Sequence, residues 1–215
     1  MERSEKDRKA LALLISGAVL TVLYLAICHI LGRAPEMKPW RCLVKVPINA
    51  CWLAIAWVYG FKSDKRIFLA LIFYALGDII APANYLAGGA FFGIGHIFAI
   101  DRYIRKYGMS KRQLLCFAGI SAFLITTLVL TLGFDWRVPL IAVYIMILAA
   151  LPVSSFGNRY FFITVCIFLF SDVIAYVRKM FFNANWLYDI TLPVYYAAIV
   201  MYSFSFRKKE GSCGT

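Results

Sequence analysis

Two long runs of this chain carry no Asp, Glu, Lys or Arg, and they limit the folds that the sequence can form. The runs extend from Leu11 to Leu31 and from Leu114 to Leu132. A strand that crosses a bilayer alternates apolar and polar residues, whereas these runs have the length and the uniform composition of a helix that spans the hydrocarbon core. The sequence therefore predicts an all-α fold in a membrane.

The rest of the chain also has the composition of a membrane protein. Of its 215 residues, 62% are hydrophobic and 16% are charged, whereas soluble domains are about 45–50% apolar and about 25% charged. We predict a polytopic protein of about eight transmembrane helices that form a single domain over residues 1–215. The predicted spans cover residues 11–31, 43–60, 66–83, 90–104, 113–132, 138–153, 160–178 and 187–206.

Positive charge is concentrated at the ends of the predicted spans. The net charge is +12, but the basic residues are not gathered on one soluble face, so we predict no nucleic-acid partner. Sixteen of the 23 Lys and Arg residues fall on one side of the predicted membrane, and the positive-inside rule makes that side cytoplasmic. The prediction is an integral, multi-pass protein with both termini in the cytoplasm. Its membrane is either a bacterial inner membrane or a eukaryotic internal membrane, and its oligomeric state is left open.

Two short segments of the chain resemble each other. Residues 76–81 read LGDIIA and residues 170–175 read FSDVIA, in predicted spans that run in the same direction. A parallel duplication of four helices would leave such a likeness, and chance is the alternative. Small residues at Gly77, and at Gly89 and Gly93 in a GxxxG pattern, predict close contact between helices.

Asp78 and Asp172 are the two ionisable residues that lie well inside predicted spans. A central Asp costs about 2.5–3.5 kcal/mol on the membrane-insertion scale, so each one requires a reason. Each lies at the same distance from the start of its span, 66 to 78 and 160 to 172. Because a helix rises by a constant amount per residue, we expect both carboxyls at one depth, in the outer half of the bilayer.

Other polar side chains are expected at that depth, on predicted helices that run the opposite way. They are Lys45, Asn49, His96, Tyr144, Tyr195 and Tyr196. We predict that these side chains and the two aspartates line one polar pocket. Two carboxyls in such a pocket can act as an acid and a base, because repulsion keeps a proton on one of them. The alternative is a structural pair in which an Asp is bonded to Lys45.

No metal or other cofactor is predicted. Asp78, Asp172 and His96 carry groups that can ligate a metal, but the chain has two histidines and contains neither an HxxxH nor an HExxH motif. Zinc sites in proteins usually combine several His and Cys ligands at short spacings. The pattern therefore favours chemistry by side chains alone.

Five short motifs resemble those of a known family. They are Lys45-x-Pro47, Gly77-Asp78, Gly95-His96, Ser171-Asp172 and Tyr195-Tyr196. In order and spacing they resemble the YhhN family, the lysoplasmalogenases, over nearly the whole chain. The resemblance implies an eight-helix membrane hydrolase that cleaves the vinyl ether bond of a lysoplasmalogen, with Asp78 and Asp172 as the catalytic pair.

The chain departs from the family pattern at two places. Ile199 stands where the family usually has Gln, and Thr164-Val165 stands where it usually has Gly-Ala. These positions bear on substrate preference.

The chemistry of vinyl ether hydrolysis suits two carboxyls. Protonation of the outer alkene carbon gives an oxocarbenium ion, to which water adds, so one acid and one anion are needed, as in glycoside hydrolysis. The predicted products are a fatty aldehyde and glycerophosphoethanolamine or glycerophosphocholine, with Lys45 and His96 near the phosphate. The expected partners are this lysophospholipid substrate and membrane lipids. Two alternatives stay open: a proton-coupled transporter or channel that uses the same aspartates, and a non-catalytic lipid-binding protein.

Overall fold

The computed structural model describes residues 2–30, 38–132, 138–178 and 185–207. Within these ranges the chain forms eight α-helices, one short 3₁₀ turn at Phe61–Asp64 and no strand, which confirms the all-α prediction. The helices are α1 (Glu2–Ile30), α2 (Lys38–Val58), α3 (Lys65–Ile80), α4 (Tyr85–Tyr107), α5 (Lys111–Leu132), α6 (Val138–Ser155), α7 (Arg159–Val177) and α8 (Asn185–Phe204).

Helix α4 is longer at both ends than the predicted span 90–104, and its caps explain the difference. The Asn84 side chain accepts a hydrogen bond from the backbone N–H of Ala87, which fixes the start of the helix. Gly108, at a φ of 71°, ends it and donates its N–H to the carbonyl of Ile104. Asn at the start and Gly just after the end are the residues that helix caps prefer.

The outer surface of the helices is apolar. Three helices, over Arg3–Ile30, Lys38–Val58 and Lys111–Leu130, are long and apolar enough to cross a membrane. Large side chains such as Val22 and Phe123 are exposed, while polar side chains are buried within the bundle. An apolar exterior around polar groups is the arrangement expected of a protein surrounded by lipid. The chain is a membrane protein, and the number of eight spans stays a prediction.

Glycines allow close contact between α4 and the end of α3. A Cβ atom at Gly88 would lie 2.7 Å from Cα of Ala81, and one at Gly77 would lie 3.0 Å from the carbonyl oxygen of Gly88. This confirms the prediction for Gly77. The prediction for Gly89 is wrong, because no other side chain or backbone of the described residues lies within 4 Å of the place where its Cβ would stand. Gly93 makes only ordinary contact with Tyr144 at 3.8 Å.

The packing of the helices follows the correspondence that a duplication of four helices would impose. Helix α1 packs on α2 as α5 packs on α6, α3 packs on α4 as α7 packs on α8, and α2 packs on α8 as α6 packs on α4. The side chains of Asp64 and Asn158 cap α3 and α7, at one spacing from the aspartates, 64 to 78 and 158 to 172. The duplication stays a prediction that these correspondences support.

The start of α1 and the end of α8 lie on one side of the bundle. Arg207 donates a hydrogen bond to Asp7 at 2.7 Å, and Tyr59 donates another to the same carboxyl at 2.8 Å. The terminal residues Met1 and 208–215, on which the predicted topology depends, lie outside the described residues.

A reporter fused after Thr215 and one fused before Met1 should both be cytoplasmic. The reason is that Lys and Arg are concentrated on that side of the chain, where they oppose translocation. Protease accessibility of each fusion in sealed vesicles measures this directly. A protected fusion at one end and an accessible fusion at the other would contradict an even number of spans.

Candidate functional site

Asp78 lies at the centre of a buried cluster formed by α2, α3 and α8. Its Oδ1 accepts a hydrogen bond from Nζ of Lys45 at 2.5 Å, and its Oδ2 accepts from Nδ2 of Asn49 at 2.8 Å and from the hydroxyl of Tyr196 at 2.7 Å. Lys45 also donates to the backbone carbonyl of Asp78 at 3.2 Å. The structure thus brings four of the predicted site residues together.

Helix geometry explains why Lys45 and Asn49 reach the same carboxylate. They are four residues apart on α2, so they share one face of the helix. Asn49 in turn donates to the backbone carbonyl of Lys45 at 3.0 Å. Lys45 and Asp78 are 3% and 4% exposed, and a buried ion pair of this kind is tolerated when further donors bind the carboxylate, as Asn49 and Tyr196 do here.

Two tyrosines that the sequence analysis did not select border Lys45. Its Nζ lies 5.7 Å from the ring centre of Tyr24 and 5.9 Å from that of Tyr188. The hydroxyls of these two tyrosines are 2.9 Å apart and share a hydrogen bond. Aromatic faces attract a cation, so both rings help to hold the ammonium group in the bundle.

Asp172 lies in a second cluster, formed by α3, α4, α6 and α7. Its Oδ2 accepts a hydrogen bond from the hydroxyl of Tyr144 at 3.3 Å and lies 3.7 Å from Nε2 of His96. The other ring nitrogen of His96, Nδ1, shares a hydrogen bond with the hydroxyl of Tyr74 at 2.9 Å. Among the described residues, no Lys or Arg forms an ion pair with Asp172.

A continuous set of buried rings joins the two clusters. The Tyr195 hydroxyl donates to the backbone carbonyl of Tyr74 at 3.0 Å, and the ring centres of Tyr195 and Tyr196 are 5.1 Å apart. Phe168 packs between the clusters, with its ring centre 5.0 Å from His96 and 5.4 Å from Tyr195. All the predicted site residues therefore belong to one connected network. The shared pocket for both carboxyls stays a prediction.

A model of the YhhN family matches residues 40–206, which is most of the chain. The chain belongs to the YhhN family. No curated protein and no solved structure gives a significant match. Every motif residue that carried the resemblance, from Lys45 to Tyr196, lies inside the matched range, and so do both clusters except for Tyr24.

The YhhN motif Gly95-His96 has a packing reason for its glycine. A Cβ atom at Gly95 would lie 2.5 Å from Cε1 of Tyr74 and 3.1 Å from the backbone carbonyl of Ala70. The absence of a side chain at this position allows the Tyr74 ring to lie against α4, with its centre 5.1 Å from the His96 ring. Gly95 thus helps to set the hydrogen bond between Tyr74 and His96.

Replacing Gly95 by Ala should destabilise the protein by about 1–3 kcal/mol, the usual cost of overpacking a core. The added methyl group must displace the Tyr74 ring from α4 and with it the hydroxyl that binds His96. Thermal unfolding of the purified protein measures the loss. Gly89→Ala, on the same helix but facing open space, is the matched control, and an equal loss in both variants would contradict the packing argument.

Two other aspartates, Asp101 and Asp64, form ion pairs away from the two clusters. Asp101 pairs with Arg105 four residues later, at 2.7 Å, and with Arg66. Asp64 caps α3 and pairs with Arg102 at 2.6 Å. None of these residues contacts the two clusters. Asp101 therefore offers a control position for Asp→Asn substitutions.

Tyr74 is the main residue of the network that the sequence analysis missed. It stands four residues before Asp78, so the two side chains share a face of α3, but Tyr74 contacts the His96 side of the site. The spacing of four residues between Tyr74 and Asp78 could therefore have identified Tyr74 from the sequence.

For metal binding, the described residues contain no group of three or more His, Cys, Asp and Glu side chains that are close enough to hold an ion.

Proposed function

We propose that this chain is a membrane hydrolase that cleaves the vinyl ether bond of lysoplasmalogens. The products are a fatty aldehyde and glycerophosphoethanolamine or glycerophosphocholine. One observation carries the proposal: in a member of the YhhN family, the two aspartates of predicted spans are both held by buried polar side chains, and one aromatic network joins them. Intramembrane carboxyls are costly and usually functional.

The proposed reaction divides into three steps. A carboxylic acid protonates the outer carbon of the vinyl ether, which gives an oxocarbenium ion. Water adds to this ion and returns a proton to the carboxylate, forming a hemiacetal. The hemiacetal then collapses to the aldehyde and the free hydroxyl of the glycerol backbone. Asp78 and Asp172 are the proposed catalytic pair: one donates the proton, and the other, as a carboxylate, stabilises the cation.

The remaining polar residues are proposed to bind the substrate. They are Lys45, Asn49, His96, Tyr144, Tyr195 and Tyr196. Lys45 is already bonded to Asp78, so a phosphate group that reaches it must share the ammonium with that carboxylate. The apolar outer surface of the bundle suits contact with the hydrocarbon chain of such a substrate.

The test is turnover by the purified protein in detergent, with release of aldehyde as the readout. A lysophospholipid with a 1-alkenyl chain should be cleaved, while the matched 1-alkyl ether should not, because it has no alkene carbon to protonate. A 1-acyl lysophospholipid tests for a general esterase. Asp101→Asn should turn over as fast as the parent, because Asp101 lies on the surface between Arg66 and Arg105.

The assay also separates the alternatives. A transporter or channel needs two compartments, so it would be silent in detergent and active in proteoliposomes with a proton gradient. A lipid-binding protein would retain the alkenyl lipid without releasing aldehyde in either preparation. Either result would reject the hydrolase.

A further inference from the structure

We propose that the two aspartates have unequal roles: Asp172 exchanges the proton with the substrate, and Asp78 stays an ionised anion that does not carry it. This assignment rests on the proposed hydrolase function. It follows from the different groups that the bundle places around each carboxyl.

The donors around Asp78 oppose its protonation. Its two oxygens accept from three donors, namely the Lys45 ammonium, the Asn49 amide and the Tyr196 hydroxyl. Lys45 and Asn49 are donors at these atoms and cannot accept. A proton on Asp78 would neutralise the carboxylate and leave the Lys45 ammonium without its anion inside the bundle, which is strongly unfavourable.

Asp172 is held much more loosely. The one side chain that donates to it is Tyr144, through a hydrogen bond of 3.3 Å, and its remaining oxygen has no hydrogen bond among the described side chains. Its side chain is 18% exposed, against 6% for Asp78. Asp172 can therefore bind a proton and reach a bound lipid, because it has free lone pairs and an open side.

The groups around Asp172 come from each helix that borders it. His96 faces it from α4 and Tyr144 from α6, while Tyr74 on α3 acts through His96. Tyr195 on α8 packs against Phe168, one turn before Asp172 on α7. Among these titratable groups, His96 has a buried Nε2 without a hydrogen bond, 3.7 Å from the Asp172 carboxyl.

His96 can face Asp172 either as a hydrogen-bond donor or as an acceptor, because the Tyr74 hydroxyl can donate to its other ring nitrogen or accept from it. When the Tyr74 hydroxyl donates to Nδ1, the neutral ring carries its proton on Nε2 and presents it to the Asp172 carboxylate. When the hydroxyl rotates and accepts from Nδ1–H, Nε2 presents a lone pair to the protonated carboxyl. We assign His96 and Tyr74 as positioning residues for the acid.

Asp172 alone can donate the proton that the reaction needs and recover it at the end. Its O–H bond breaks as a new C–H bond forms at the outer alkene carbon, and the oxocarbenium charge develops beside the new carboxylate. Water then forms a C–O bond and gives one proton back to Asp172. In the hemiacetal the hydroxyl proton moves to the ether oxygen as the C–O bond to glycerol breaks, so the enzyme ends as it began.

The pH dependence of kcat/KM for the alkenyl lysophospholipid tests the assignment. A general acid acts in its protonated form, so the pH profile of the parent is expected to have a limb that falls at high pH. Asp172→Asn should remove this limb and lower kcat/KM at least about a hundredfold. The double variant Lys45→Met/Asp78→Asn should keep the limb. Tyr74→Phe should move its midpoint, which a purely structural role would not do. A limb that survives in Asp172→Asn and vanishes in the double variant would overturn the assignment.

An infrared titration without substrate separates this inference from the proposed function. The chain has 11 Asp and Glu residues, so the readout is the component of the protonated-carboxyl C=O band that Asp172→Asn lacks in the difference from the parent. This component should be present in the parent, in Asp101→Asn and in the double variant Lys45→Met/Asp78→Asn. Loss of the band in the double variant instead would overturn the assignment. If the band follows Asp172 but no alkenyl lipid is cleaved, the assignment of the proton stands and the hydrolase function fails.

Discussion

Asp172→Asn should lower kcat for a lysoplasmalogen at least about a hundredfold, the usual range for a general acid. The substitution keeps the size of the side chain and its hydrogen bond to Tyr144 but removes the proton donor. Because the described structure places no Lys or Arg against Asp172, the substitution breaks no ion pair with a permanently charged side chain. The variant should therefore unfold at nearly the same temperature as the parent.

Single-turnover kinetics and thermal unfolding of the same purified sample measure the two halves of this prediction. Asp101→Asn controls for the loss of one carboxyl elsewhere. Combining Asp172→Asn with Asp78→Asn should be little worse than the poorer single variant, because effects within one catalytic unit do not add. A folded Asp172→Asn protein with the parent's turnover would remove Asp172 from the chemistry.

Breaking the pair of Lys45 and Asp78 should be costly to stability. Lys45→Met and Asp78→Asn should each destabilise the protein by about 3–5 kcal/mol, because each leaves a buried charge without its partner. The double variant should recover most of this loss, since its Asn still has the Asn49 amide and the Tyr196 hydroxyl nearby. Unfolding of the parent, both single variants and the double variant forms a double-mutant cycle that gives the coupling energy.

A surface pair provides the matched control. The cycle for Asp101 and Arg105, which are exposed and four residues apart on α4, should show a much smaller coupling, because water screens exposed pairs. Losses of stability that simply add in the Lys45 and Asp78 cycle would mean that the pair does not act as one unit.

The uncompensated charge should also lower activity. Turnover by Asp78→Asn alone should be slow, because the Lys45 charge without its partner disfavours a nearby oxocarbenium ion.

Residues that conflict with an apolar run could be found from the sequence. Asp78 and Asp172 stand in segments where a charge costs free energy, so each had to have a partner or a function. Lys45 and Asn49 could be placed on one face of α2 because four residues make about one helical turn. His96, Tyr195 and Tyr196 could be placed at the depth of the aspartates by counting residues along the predicted spans. All these residues lie in the network that the structure shows.

Contacts between helices could not be found in the same way. The choice of Gly88 rather than Gly89 as the point of close approach depends on how α3 and α4 are rotated about their axes, and a GxxxG pattern does not fix that rotation. Tyr74 shares a face with Asp78 but binds His96 on α4. Its partner depends on the side from which α4 packs.

The sequence by itself determined that the chain forms apolar helices in a membrane and that two carboxyls interrupt them, because composition and helical spacing are local properties. The tertiary structure decided which carboxyl received the Lys45 ammonium. Lys45 is 33 residues from Asp78 along the chain, and the ion pair exists because α2 and α3 pack with these faces together. Asp172 meets a histidine and a tyrosine from α4 and α6 instead. The chemical difference between two aspartates in similar sequence segments thus arises from the helices that surround each one.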